Sequence, residues 1–194
     1  SNHSNRLLSW LHKEGVAFDC ASMREIEAVL SVGSSADDIV YANPCKGRDD
    51  ISYANRLGIK TTVVDSMEEV DKVVEEGWKG DSLLRIRVDD TNSVVPFSRK
   101  FGSPLHHVGF IGDYAKAKGL PLSGISFHVG SGCSDPSQYT RAILQAARSL
   151  DVLKAWGHPS TTIDIGGGFT HTGFHQAACA ITRAFITLPK TKMI

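Results

Sequence analysis

Short apolar runs recur along this chain without clean polar alternation, and segments with helical patterning separate them. The runs are Val16–Cys20, Ile39–Ala42, Thr61–Val64, Leu83–Val88, Gly124–His128 and Thr161–Ile165, and Val, Ile, Phe and Thr dominate them. Runs of this kind predict strands buried on both faces, the usual condition of a parallel sheet. Ser22-Met23-Arg24-Glu25 and Ser66-Met67-Glu68-Glu69 read as capping boxes that open helices directly after strands. Gly15, Gly33, Gly58 and Gly77 fall where a helix would end on a glycine cap, and Pro136 suits the first turn of a later helix. Six strand–helix units in a row, with no repeat and no linker, imply parallel strands joined by right-handed crossovers.

That rhythm fits a doubly wound open sheet or a (β/α)8 barrel, and the placement of polar residues decides between them. Asp19 closes the first strand, Asn43 the second and Asp65 the third; Arg85 and Asp89 lie in and after the fourth, His128 ends the fifth and Gly166 follows the sixth. A barrel gathers all these strand ends into one mouth, whereas an open sheet spreads them along an edge. The expected fold is therefore α/β, a partial (β/α)8 barrel with about six of its eight strands.

Composition narrows the partners. A chain of 194 residues with 41% hydrophobic and 22% charged residues can form one domain with a sizeable core. Lysine plus arginine and aspartate plus glutamate balance at 21 each, so no basic field favours nucleic acid or an anionic membrane. No apolar run approaches the length of a membrane span, and Ser1-Asn2-His3-Ser4 lacks the features of a secretion signal. A cytoplasmic location is expected. Cys20, Cys45, Cys133 and Cys179 are dispersed without a Cys-x-x-Cys pair, which suits reduced thiols. His171 and His175 could share a helical face, but a third ligand and a zincin glutamate are lacking, so no metal is expected.

Four stretches carry candidate chemistry. In Asp164-Ile165-Gly166-Gly167-Gly168-Phe169 three successive glycines leave amides able to curl around an anion before the next helix. A flexible turn would need only one glycine, so phosphate binding is favoured. His128-Val129-Gly130-Ser131-Gly132-Cys133 places an imidazole beside a hydroxyl and bare amides. It could hold a phosphate through Ser131 and lay His128 on a flat ring, or be a structural histidine capped by a tight turn. Asp19 ends an apolar strand, and since Ser22 with Glu25 already caps the following helix it is free for another role. Arg85 and Arg87, two apart in a strand, should point the same way; Arg87 could equally pair with Asp89 or Asp90.

Together these stretches resemble the ornithine/diaminopimelate/arginine decarboxylase family, whose pyridoxal-phosphate barrel is similar to that of alanine racemase. Phe18-Asp19-Cys20-Ala21-Ser22, Tyr41-Ala42-Asn43-Pro44-Cys45-Lys46, Lys100-Phe101-Gly102, the His128 motif and the Asp164 motif fall in the family's order, with the match strongest over residues 1–169. Gly-Ser-Gly-Cys after His128 is similar to the ornithine-type branch. The resemblance implies pyridoxal phosphate as cofactor and decarboxylation of a basic amino acid, most readily ornithine to putrescine in polyamine synthesis. It implies that His128 stacks on the cofactor ring and that Ser131, Gly166, Gly167 and Gly168 hold its phosphate. Asp19 and Arg85 would line the pocket, with Glu25 as a supporting acid, and Lys100 would lie near a homodimer interface.

The chain also departs from the family pattern. Ser1-Asn2 matches the two positions that follow the family's cofactor-carrying lysine, so that lysine and the first barrel strand are expected to lie outside these 194 residues. After Phe169 the chain runs to Ile194 without the Glu-Pro-Gly-Arg of the family's eighth strand, and the family's C-terminal β-domain is expected to be absent from these 194 residues. The resemblance therefore implies an incomplete barrel spanning residues 1–194, inactive alone. A regulator resembling antizyme inhibitors and a single-domain pyridoxal-phosphate protein are the competing readings.

Overall fold

The computed structural model describes residues 4–188 together with the backbone of Lys192–Met193. A short helix α1 (Asn5–Lys13) precedes three strand–helix units and a fourth strand: β1 (Phe18–Cys20), α2 (Met23–Ser31), β2 (Ile39–Tyr41), α3 (Arg48–Arg56), β3 (Thr61–Val64), α4 (Met67–Glu75) and β4 (Asp81–Arg85). There follow β5 (Ser93–Val95), α5 (Val108–Ala117), β6 (Leu122–Ser126), β7 (Ser131–Cys133), α6 (Ser137–Ala155), β8 (Thr162–Asp164), α7 (Phe174–Ile186) and β9 (Lys192–Met193). The main sheet runs β1-β2-β3-β4-β6-β8-β9, and every pairing in it is parallel. All six expected strands are present, adjacent in chain order, as an arc of a barrel wall with its helices.

From β2 to β8 the arc is buried on both faces, as the unbroken apolar runs require, whereas β1 leaves Asp19 exposed. Alternate residues of neighbouring strands part company: Ile39 and Tyr41 pack with Ile26 and Val29 of α2, whereas Val40 packs with Val63 and Leu83 in a separate cluster. Val64, Leu84, Ile125 and Ile163 join the largest cluster, with Ile143 and Leu150 of α6. Strands covered on both sides lose more apolar surface to burial than half-buried ones, which offsets the entropy of ordering them.

The structure corrects several details. One more strand, β9, extends the sheet to seven. A second sheet, unforeseen, pairs β5 with β7 antiparallel, so the Gly-Ser-Gly turn after His128 is half of a two-stranded ribbon. The strand read as Leu83–Val88 ends at Arg85; Ile86 then bridges to Ser103, and Arg87 is exposed beyond it instead of sharing an inward face. His171 lies in a turn before α7, so it does not share a helical face with His175.

The capping boxes are only half made. Ser22 Oγ accepts from the Glu25 amide, but the Glu25 carboxylate accepts from Ala21 N–H. Ser66 Oγ accepts from the Glu69 amide, while the Glu69 carboxylate turns to Lys46 and Lys72. Pro136 takes the N-cap position of α6, one residue before its first turn. Gly15, Gly33, Gly58 and Gly77 all adopt positive φ at helix ends, as expected. Among the described residues no helix is long and apolar enough to cross a membrane.

Candidate cofactor site

The C-terminal ends of β1, β2, β4, β6 and β8 converge on a cavity of about 840 Å³. On one side of it lies the loop after β8. Asp164 closes that strand and turns its carboxylate back on the loop: Oδ1 accepts from Gly166 N–H at 2.8 Å and Oδ2 from Ser126 Oγ–H at 2.8 Å. Gly166 and Gly168 both have positive φ, +59° and +104°. Their neighbours leave no room for a side chain. A Cβ on Gly166 would collide with the Phe127 carbonyl oxygen, and one on Gly168 would stand 2.5 Å from that of Gly130. The glycines are thus demanded by the close approach of two strand-end loops as well as by any ligand. Cys133 N–H donates to the Gly168 carbonyl and Tyr139 Oη–H to that of Gly167, locking the loop from behind. Among the described residues the amides of Gly167 and Gly168 have no acceptor, whereas that of Gly166 is taken by Asp164.

His128 stands against this loop. Its Nδ1 accepts from Gly130 N–H at 2.9 Å, which leaves the proton of the neutral ring on Nε2. Burial, aided by the positive charge of Arg85, lowers its pKa to about 4, so the ring is uncharged at neutral pH. The edge of Phe97 supports it at 5.0 Å between centroids. Phe97 is delivered by the excursion that carries β5. There the buried Asp90 carboxylate accepts from the amides of Phe97 and Ser98 and from Ser98 Oγ–H.

Charges gather at the strand ends beside this loop. Arg85 lies 5.2 Å from the Phe101 ring centre, with Asp65, Asp164 and Asp19 contributing the neighbouring negative field. Asp19 opens to solvent on the cleft face of β1; desolvation by the surrounding walls, reinforced by Asp164 and opposed by Arg85, raises its pKa to about 7. Burial raises that of Asp164 and of Asp65 as well. With its pKa near 7, Asp19 can gain or lose a proton near neutral pH.

Asp19, Glu25, Arg85, His128, Ser131, Gly166, Gly167 and Gly168, all singled out from sequence, line this one cavity. Lys100 does not; it is exposed in the turn before Phe101. Asp164, Phe97, Phe101 and Asn43 line the cavity without having been assigned a role. Asp164 sits inside the glycine motif, and an acid between two isoleucines was the available signal. Phe97 had none, because only the fold of the β5 excursion brings it to His128.

Unpaired amides on a glycine turn, the Ser131 hydroxyl and an uncharged imidazole suit a phosphorylated, flat, polar ring. No lysine is among the residues lining the cavity. Comparison with known proteins agrees. Residues 1–187 match the family model described as the pyridoxal-binding domain of pyridoxal-dependent decarboxylases. The chain is 41% identical over 186 residues to an ornithine decarboxylase of Schizosaccharomyces pombe, which covers 96% of this chain and 43% of that protein. It is 39% identical over 171 residues to an antizyme inhibitor 2 of Xenopus laevis, covering 88% of the chain and 38% of that protein. The arginine decarboxylase of a Paramecium bursaria Chlorella virus, solved with agmatine bound, superposes with a TM-score of 0.93 at 33% identity, over 99% of this chain and 54% of that one. The chain thus spans less than half the length of these curated relatives. With pyridoxal phosphate as the cofactor its cleft is built for, the chain belongs to the pyridoxal-dependent decarboxylase family.

Proposed function

We propose that these residues form the cofactor-binding domain of a decarboxylase acting on a basic amino acid, with ornithine the first candidate and polyamine synthesis the setting. The observation that carries this reading is the meeting of the Gly166–Gly168 loop, the uncharged His128 ring and the Asp19–Arg85–Asp164 cluster in one cleft. Bound pyridoxal phosphate supplies a ring that draws off the electrons of the breaking Cα–carboxylate bond. The chain's own residues bind and orient. The amides of Gly167 and Gly168 with the Ser131 hydroxyl would hold the phosphate, and His128 would pack against the ring. Asp19, Glu25 and Arg85 face the reacting end, where Asp19 can hold or release a proton near pH 7. Orientation and exclusion of water are what such walls contribute to rate. In this reading the active form is a cytoplasmic homodimer, with Lys100 near the subunit contact.

The 39% identity to an antizyme inhibitor gives a second reading, a regulator without activity. The presence of Asp19, Arg85, His128, Ser131 and Gly166–Gly168 together at the cleft supports the enzyme. The third reading, a single-domain pyridoxal-phosphate carrier, has the ornithine-type motif at His128 against it. Release of carbon dioxide from ornithine, lysine and arginine separates these readings when measured on the full-length protein and on the 194-residue chain. Turnover by the full-length protein is expected, with none by the chain, whose cleft offers no lysine to carry the cofactor. A full-length protein that binds pyridoxal phosphate without turnover would make it a regulator or carrier. Turnover by the chain alone would overturn the assignment of roles.

A further inference from the structure

Lys46 is a buried cation that the proposed reaction does not use. Only 4% of it is exposed, and its ammonium donates to the Val63 carbonyl at 2.6 Å, the Asn43 carbonyl at 3.0 Å and Glu69 Oε1 at 2.8 Å. Glu69, 2% exposed, answers with both oxygens: Oε1 also accepts from the Lys46 amide at 3.2 Å and Oε2 from Lys72 Nζ at 2.5 Å. Lys72 in turn donates to the Lys46 carbonyl at 2.7 Å. Burial lowers the Lys46 pKa, a property often associated with nucleophilic lysines. Here all three donors are occupied and the side chain does not line the cleft, so the group is neither free nor placed to react.

Burying such a charge rarely stabilises a fold, since apolar residues of similar volume serve as well or better. What apolar residues cannot do is grip two backbone carbonyls. Asn43 belongs to the loop after β2 that lines the cleft with Ala42 and Pro44, and Val63 lies in β3 just before Asp65. Glu69 anchors the same loop to the first turn of α4. Resting on the cofactor reading above, we propose that Lys46 is a positioning residue, whose grip on the Asn43 and Val63 carbonyls holds the Ala42–Pro44 wall in place for the bound cofactor.

The test compares the full-length protein with the Lys46→Met variant and the Lys46→Met/Glu69→Gln double variant. The double variant removes the carboxylate that the single change would leave buried without Lys46. It keeps an oxygen for the residue-46 amide, so it separates loss of positioning from loss of folding. The double variant should melt within a few degrees of the parent, yet its amide hydrogen exchange across residues 42–47 should quicken about tenfold. Its pyridoxal phosphate should bind about tenfold more weakly and show a diminished visible circular-dichroism band, because the wall no longer holds the ring in one orientation. Parent-like exchange in the folded double variant would overturn the proposal, and so would faster exchange with parent-like cofactor affinity and spectrum. Failure of the parent itself to bind pyridoxal phosphate would overturn the functional reading instead. The exchange measurement would still decide whether Lys46 fixes the loop.

Discussion

Two adjacent glycines in the Gly166–Gly168 loop should respond differently to the same substitution. Gly168 has φ +104°, and a Cβ there would stand 2.5 Å from the Gly130 carbonyl oxygen, 2.8 Å from Val129 Cγ2 and 3.0 Å from Tyr139 Oη. Gly168→Ala must bear a backbone conformation costing about 1–3 kcal/mol and force apart two packed loops at a similar cost, about 4 kcal/mol in all. Gly167 has no positive φ, and its Cβ would meet only the His128 ring, with Nε2 at 3.0 Å. Gly167→Ala therefore needs the ring to yield by a few tenths of an ångström and should cost less than about 1 kcal/mol of stability. The displaced ring is the one proposed to stack on the cofactor, so affinity should fall about tenfold, equivalent to about 1.4 kcal/mol. Chemical denaturation of the cofactor-free protein gives the first quantity, and absorbance titration with pyridoxal phosphate the second. The two alanine variants proving equally stable without cofactor would refute the packing argument, and unchanged affinity in Gly167→Ala would refute the placement of His128.

Other expectations follow from the same site. Because the folded His128 pKa of about 4 lies below its ordinary 6.5, the unfolded chain takes up a proton that the native one refuses. Its contribution to stability is complete above pH 6.5 and is lost as pH falls toward 4, by at most about 3 kcal/mol. His128→Asn, which can keep an acceptor for Gly130 N–H, should lose that part of the pH slope of the denaturation midpoint; parallel slopes for parent and variant would count against a buried neutral imidazole. Asp164→Asn removes a negative charge that helps raise Asp19, so the Asp19 titration near pH 7, followed by carboxyl NMR, should move to lower pH. A titration that stays in place would mean that the two acids do not interact. Asp90→Ala strips the buried acceptor from Phe97 and Ser98, and should cost about 2–3 kcal/mol and loosen the β5 excursion. Unaltered hydrogen exchange across residues 91–98 would dismiss that role.

Much of the fold was legible because its signals are local. A strand buried on both faces announces itself as an unbroken apolar run, and a helix that follows it by a serine cap, so the six parallel strands and their order could be read from patterning. The glycines of 166–168 and the strand-end positions of Asp19, Arg85 and His128 were readable for the same reason: each meets a requirement of its own strand end. What escaped depends on partners distant in sequence. β5 and β7 are too short to show a pattern and exist only because they pair with each other across the 35 residues of chain between Val95 and Ser131. Glu69 looked like a capping acid until the fold offered it two lysines, and Asp164 became a charge neighbour of Asp19 only across the barrel mouth. Arg85 and Arg87 looked equivalent, yet the strand ends between them and only one enters the cleft. Patterning records which face of an element is covered. The identity of the residue that covers it, and with it the raised pKa of Asp19 and Asp164, is set when segments far apart in sequence come into contact.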